Sequence, residues 1–344
     1  MGDPYILMLV ALAILAIVDL VVGVSNDAVN FLNSAIGSKA ISVKNIMIIA
    51  SLGVFFGAIT SSGMMEVARK GIFNPNMFMF QDIMFIFMAV MITDILLLDI
   101  FNSLGMPTST TVSIVFELLG AAVCISLLKI SASDSQSFSD LWNYINHETA
   151  TKIIFGILLS VVVAFSVGAI VQFSSRLIYS FNFEKRATYI SALFGGFAIT
   201  AITYFIIIKG MKGTPFYKDV KFLIEGNTLA IIAGSFIIWS LISQLLIKIF
   251  KINILKLIIG IGTFSLAMAF SGNDLVNFVG VPIAAWNSYQ AWEVSGVAAD
   301  AFSMGVLAKK VPSNIWLLLI AGGIMVVTLW TSSKAQNVIK TGID

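Results

Sequence analysis

The sequence predicts an all-α, polytopic membrane protein built on an internal repeat, and three observations carry that reading. Hydrophobic residues make up 58% of the 344 residues and charged residues 11%, with a mean hydropathy of +0.99; an ordinary soluble domain carries about 25% charged residues. So few charges cannot cover a water-facing surface, and much of the exterior must face lipid. The apolar residues also fall in unbroken runs close to the roughly 20 residues that a helix needs to cross the hydrocarbon. Runs this long exclude a β-barrel, whose strands are short and alternating. Finally, one short polar motif occurs twice, far apart in the chain.

In chain order, the spanning candidates are residues 5–24, 44–63, 83–103, 110–129, 152–173, 188–208, 229–249, 254–271 and 313–332. The first is expected to be a retained span. It opens Met1-Gly2-Asp3 without a positive n-region and has no convincing small-residue cleavage site. Polar connections fall at 131–151, 174–187 and 209–228. The stretches 26–40 and 272–290 are rich in Gly, Asn and Ser, and 71–80 and 104–112 carry Gly or Pro. All four are expected to hold re-entrant or broken backbone, which survives at membrane depth only inside protein or along a wet cavity. The expectation is about 8–10 transmembrane helices plus such breaks. If all nine runs crossed, the 20 Lys and Arg would divide evenly between the two sides, so the positive-inside rule assigns no orientation.

Composition also removes several kinds of chemistry. A net charge of +2 gives no reason to expect nucleic acid. A single cysteine, Cys124, excludes an intramolecular disulfide or a thiolate metal cage, and a single histidine, His147, excludes a His-based metal site or a Ser-His triad. Asp94 and Asp99 could suggest an intramembrane carboxylate pair, but at i and i+5 they do not share a helix face. No cofactor and no enzyme activity are expected.

Carboxylates inside apolar runs are costly, by about 2.5–3.5 kcal/mol or more at the bilayer centre, and are kept with a partner or for a purpose. Asp19, Asp94, Asp99 and Glu117 lie in or at the ends of spans. Taken singly, they are as readily explained by pairing with Lys or Arg, or by an interfacial position. Asp27 and Asp274 are different because they come as a matched pair. The first copy reads Asn26-Asp27-Ala28-Val29-Asn30-Phe31 and the second Asn273-Asp274-Leu275-Val276-Asn277-Phe278, a shared N-D-x-V-N-F. Duplicated motifs mark an internal repeat, and transporters built from repeats place the substrate site where the repeats meet. On a helix, Asn26 and Asn30 share a face with Asp27 beside them, and Asn273, Asp274 and Asn277 repeat the arrangement. Carboxylate and amide oxygens suit a small hard cation such as Na⁺ rather than a soft metal. The alternative role for the same residues is to cap helix breaks.

A second constellation is Gly105-Met106-Pro107-Thr108-Ser109-Thr110-Thr111, ahead of a long apolar run. Pro with clustered hydroxyls announces a helix N-terminus, whose free N–H groups and dipole attract anions. Ser109, Thr110 and Thr111 could donate to a tetrahedral oxyanion.

Together these motifs resemble those of the PiT family of inorganic phosphate transporters, marked by repeated G-x-N-D-x-x-N segments and a P-[VT]-S-T-T segment. The stretch Ser62-Gly63-Met64-Met65-Glu66 through Gly71-Ile72 is similar to that family's S-G-x-x-x-E-x-x-x-x-G-I connection. The resemblance implies inverted repeats and alternating-access symport of phosphate with Na⁺ or H⁺, usually by a homodimer. It implies phosphate contacts from Ser109, Thr110, Thr111, Asn26 and Asn273. It further implies Na⁺ contacts from Asp27, Asn30, Asp274 and Asn277, with Glu66 as a conditional addition. A bilayer of the bacterial inner-membrane type is the default location. Residues 1–130 would form the first repeat, 131–253 connecting helices, and 254–344 a second, incomplete repeat.

Three departures qualify the resemblance. Gly23 is displaced from the usual glycine position ahead of Asn26; Val112 replaces a common His. Asn26 and Pro107 are 81 residues apart, so a second P-x-S-T-T would fall past Asp344, and a truncated chain is expected. Proton-coupled sulfate or other oxyanion transport, or a non-transporting membrane subunit, are the rival readings.

Overall fold

The computed structural model describes residues 3–60, 72–179, 188–210, 221–224, 226–308 and 315–343. Its helices are α1 (Pro4–Ser38), α2 (Val43–Thr60), α3 (Phe80–Ser103), α4 (Thr110–Ser131), the single turn α5 (Leu141–Tyr144), α6 (His147–Tyr179), α7 (Thr188–Phe205), α8 (Thr228–Lys248), α9 (Ile254–Ser295), α10 (Ile315–Thr331) and α11 (Ser333–Ile343). Among the described residues eight helices are long and apolar enough to cross a membrane, or nine if α10 and α11 form one bent span. The protein is an all-α polytopic membrane protein, and each of the nine apolar runs lies largely or wholly within a helix.

The expectation of breaks at 26–40 and 272–290 is corrected. α1 runs unbroken through Asn26-Asp27 to Ser38, and α9 runs 42 residues from Ile254 through Asn273-Asp274 to Ser295, past an internal Pro282. At about 1.5 Å per residue these helices exceed the ~30 Å hydrocarbon core. The polar residues do not interrupt α1 because their side chains bond without unwinding the backbone. Ser25 Oγ donates to the Val21 carbonyl one turn back at 2.7 Å, and Asn26 finds partners outside the helix. α1 begins at Asp3, whose side chain accepts from Tyr5 N at 2.9 Å, with Pro4 in its first turn.

Irregular backbone does occur where Pro and Gly stand. Residues 104–109 connect α3 to α4, with Gly105 at φ +68°, and Pro75–Met77 forms a 3₁₀ turn. A 68° bend separates α10 from α11.

Two clusters of buried side chains organise the core. One gathers Phe78, Phe80, Met84 and Phe87 with α4 and the C-terminal half of α9. The other gathers the second half of α1 with α2, α10 and α11. α9 and α2 approach closely: a Cβ on Gly53 would lie 2.5 Å from the Phe264 carbonyl oxygen, and one on Gly57 2.2 Å from that of Met268. Small residues spaced four apart let two membrane helices touch backbone to backbone. α6 stands apart, with only Ala150 and Tyr179 of its 33 residues buried.

Candidate functional site

α1 and α9 cross at the two copies of N-D-x-V-N-F, and the contacts there are reciprocal. Phe278 of the second copy packs on Gly23, three residues before Asn26; a Cβ on Gly23 would lie 2.1 Å from Phe278 Cε1. Phe31 of the first copy meets Phe270, three residues before Asn273, with ring centroids 6.1 Å apart. The displaced glycine thus has a local reason, since position 23 must admit an aromatic ring. Ser25 faces α11 instead, its hydroxyl 2.7 Å from that of Ser332 at the α10–α11 bend.

Asp27 and Asp274 are both buried at this crossing, 5% and 4% exposed, and Thr110 lies between them. Its hydroxyl sits 3.3 Å from Asp27 Oδ2 and 3.4 Å from Asp274 Oδ1. The hydroxyl carries one proton and can donate to only one carboxylate at a time. Asp274 Oδ2 has no hydrogen-bond partner. Among the described residues neither carboxylate has a basic partner, and two such buried carboxylates are strongly unfavourable until a cation or a proton neutralises them. A small void of about 10 Å³ touches both, lined also by Val24, Phe31, Val54 and Ser271. That is room for about one water-sized sphere. A bare ion fits such a space and a phosphate does not.

The hydroxyl segment is held by the first motif. Asn26 is fully buried; its Nδ2 donates to Asn102 Oδ1 at 2.8 Å and to the Met106 carbonyl at 3.1 Å, while its Oδ1 accepts from Thr108 N at 2.7 Å. Asn102 in turn donates to the Val22 carbonyl at 2.8 Å. Asn102 was not singled out from sequence. The signal available was an amide at the end of an apolar helix, three residues before Gly105.

The second motif reaches the same segment from the other side. Asn273 Nδ2 and Asn277 Nδ2 donate to Thr111 Oγ1 at 3.3 and 3.1 Å, and both also reach Asp274 Oδ1, at 3.2 and 3.4 Å. Ser109 is exposed and caps α4, accepting from Val112 N at 3.3 Å. Thus Asn26, Asp27, Asp274, Asn277, Asn273, Thr110 and Thr111 come together in one network. Ser109 lies at its edge and Asn30 is exposed one turn beyond Asp27. Glu66 lies outside the described residues.

The remaining intramembrane carboxylates divide. Asp99 pairs with Lys334 of α11 at 2.5 Å, both about half exposed. Asp94 is fully buried and faces Ser113, away from Asp99. Pairing with Lys or Arg, a reading open for Asp19, Asp94 and Glu117, is not what the described residues provide; these three face each other.

Known proteins are similar to this chain over most of its length. Proteins bearing the name "Putative phosphate permease" in Pyrococcus furiosus and Thermococcus kodakarensis are 25% and 26% identical, over 87% of this chain and 67% and 68% of theirs. A solved structure titled "The sodium-dependent phosphate transporter" superposes with a TM-score of 0.64 at 22% identity, over 98% of this chain and 78% of that one, and so shares its fold. The model of the phosphate transporter family matches residues 23–342, from the glycine beneath Phe278 to the end of α11. By that match, which takes in both N-D motifs and the hydroxyl segment joining them, the chain belongs to the phosphate transporter family.

Proposed function

We propose that this chain carries inorganic phosphate across a membrane together with Na⁺, by alternating access. Support comes from one observation above the others: two buried carboxylates, Asp27 and Asp274, meet around a single hydroxyl and an ion-sized void. Na⁺ entering there is met by Asp27, Asp274 and Thr110, with Asn30 and Asn277 a turn further along their helices. An anion cannot share a dry space with two unneutralised carboxylates, so the cation comes first. Phosphate then meets the start of α4, where Ser109, Thr110, Thr111 and free backbone N–H groups offer donors, with the Asn26 and Asn273 amides alongside. Motion of α1 and the α3–α4 connection against α9 exchanges the open side.

The names of the archaeal relatives and of the structural neighbour favour phosphate and sodium for this chain as well. Glu66 is a conditional further contact. A homodimer is favoured by α6, an apolar helix that buries almost nothing within one chain, and the plasma membrane is the proposed location.

Uptake of radiolabelled phosphate into proteoliposomes, driven by an imposed Na⁺ gradient and challenged with sulfate, tests the reading. Na⁺-dependent uptake that excess sulfate leaves intact is expected. Uptake driven by a proton gradient alone and blocked by sulfate would replace it with the oxyanion permease.

A further inference from the structure

One turn along α4 from Thr110, Ser113 faces a second group of carboxyls that the phosphate site does not use. Thr110, Ser113 and Glu117 stand at i, i+3 and i+7, one stripe of α4. The Ser113 hydroxyl is in hydrogen-bond contact with Asp94 Oδ1 and also lies 2.7 Å from Glu117 Oε1. A serine hydroxyl has one proton to donate. Both contacts are hydrogen bonds only if one of the two carboxyls is itself protonated and donates to the serine oxygen.

An independent observation adds to this count. Asp19 of α1 is fully buried and faces Asp94 and Glu117, and no N–H or hydroxyl among the described residues donates to either of its oxygens, nor to Asp94 Oδ2 or Glu117 Oε2. Among the described residues no countercharge comes from the elements around the group, and Lys129 of α4 is engaged with Asp82. The nearest other charge on α1 is Asp27, two turns away and of the same sign. α9 carries no charged residue between Leu275 and Trp292, α10 carries none, and Lys334 of α11 is engaged with Asp99. Among the described residues no three acidic, His or Cys side chains converge as a metal cage would require. A groove of about 610 Å³ between α3 and α4 is lined by Thr108, Ser109, Ser113 and Glu117.

We propose that Asp94, Ser113 and Glu117, with Asp19 facing them, form a proton-binding site separate from the Asp27–Asp274 site. The bound proton is shared through the Ser113 oxygen. The proposed phosphate and Na⁺ binding enters only as the neighbour whose charge this proton feels.

Infrared difference spectroscopy of the full chain in lipid, in Na⁺-free buffer at neutral pH, reads the proton directly and needs no transport. The expected result is a protonated-carboxyl C=O band that Glu117→Gln or Asp94→Asn removes and that the Asp27→Asn, Asp274→Asn double variant retains. Ser113→Ala, which changes no charge and keeps the helix, should shift that band through loss of the hydroxyl partner. A spectrum in which none of these three substitutions alters a protonated-carboxyl band would overturn the proposal. So would a band that Na⁺ abolishes even in the double variant, because the group would then hold Na⁺. Phosphate binding measured on the same samples reports separately on the transport reading.

Discussion

The amide oxygen of Asn26 accepts the backbone N–H of Thr108 at 2.7 Å, across 82 residues of sequence. This bond, with the donation from Asn26 to Asn102 and to Met106, fixes the hydroxyl segment to the first N-D motif. It places Thr110 between the two carboxylates, so the cation and anion elements of the site are one mechanical unit. Removing the amide should disturb both. Asn26→Ala leaves the buried Asn102 amide oxygen without its partner, at about 1–3 kcal/mol, and also frees the part-buried Met106 carbonyl and Thr108 N–H. Weaker phosphate binding and a lower unfolding midpoint in detergent are expected; Asn26→Ala with unchanged phosphate affinity would detach this network from the site.

Thr110→Val keeps shape and removes the one hydroxyl shared by Asp27 and Asp274. Na⁺ affinity should fall by about tenfold, the ~1.4 kcal/mol of roughly one hydrogen bond, while the fold persists. Titration of Na⁺ binding by isothermal calorimetry checks it, and an unaltered constant would take Thr110 out of the cation shell.

Gly23→Ala places a methyl 2.1 Å from Phe278 Cε1. Overpacking of this kind costs typically about 1–3 kcal/mol, so the variant should melt earlier than the parent. Phe278→Leu in the same chain should recover part of the loss. If Gly23→Ala melts with the parent, the aromatic ring is not seated where the structure has it.

The Asp99–Lys334 pair gives the opposite expectation. Both side chains are about half exposed, and pairs of this kind contribute about 0–1 kcal/mol. Lys334→Met should leave stability within that range, measurable by thermal unfolding, and should leave phosphate uptake close to the parent value.

Much of this architecture was legible in the sequence because its signals are local. Each long apolar run became a helix, and the paired N-D-x-V-N-F motifs and the P-T-S-T-T segment met in one network. Three things were not legible. The polar stretches after Val24 and Phe270 read as breaks, because Ser, Asn and Asp in a row usually compete with a helix. Here the Ser25 side chain bonds within its own helix and the Asn26 and Asn277 side chains reach neighbouring elements, so both helices continue. The meeting of Asp19, Asp94 and Glu117 was equally hidden. Each comes from a different helix, and spacing along one chain segment carries no information on how three helices pack. Asn102 escaped for the same reason, since its partners Asn26 and Val22 lie about 80 residues away.

The central claim is that Asp27 and Asp274 together hold the ion that drives phosphate. The most direct measurement is Na⁺-gradient-driven phosphate uptake in proteoliposomes holding the Asp274→Asn variant beside the parent chain. Loss of the Na⁺ stimulation, with protein that still folds and inserts, is the expected result. Stimulation by Na⁺ equal to that of the parent would contradict the claim.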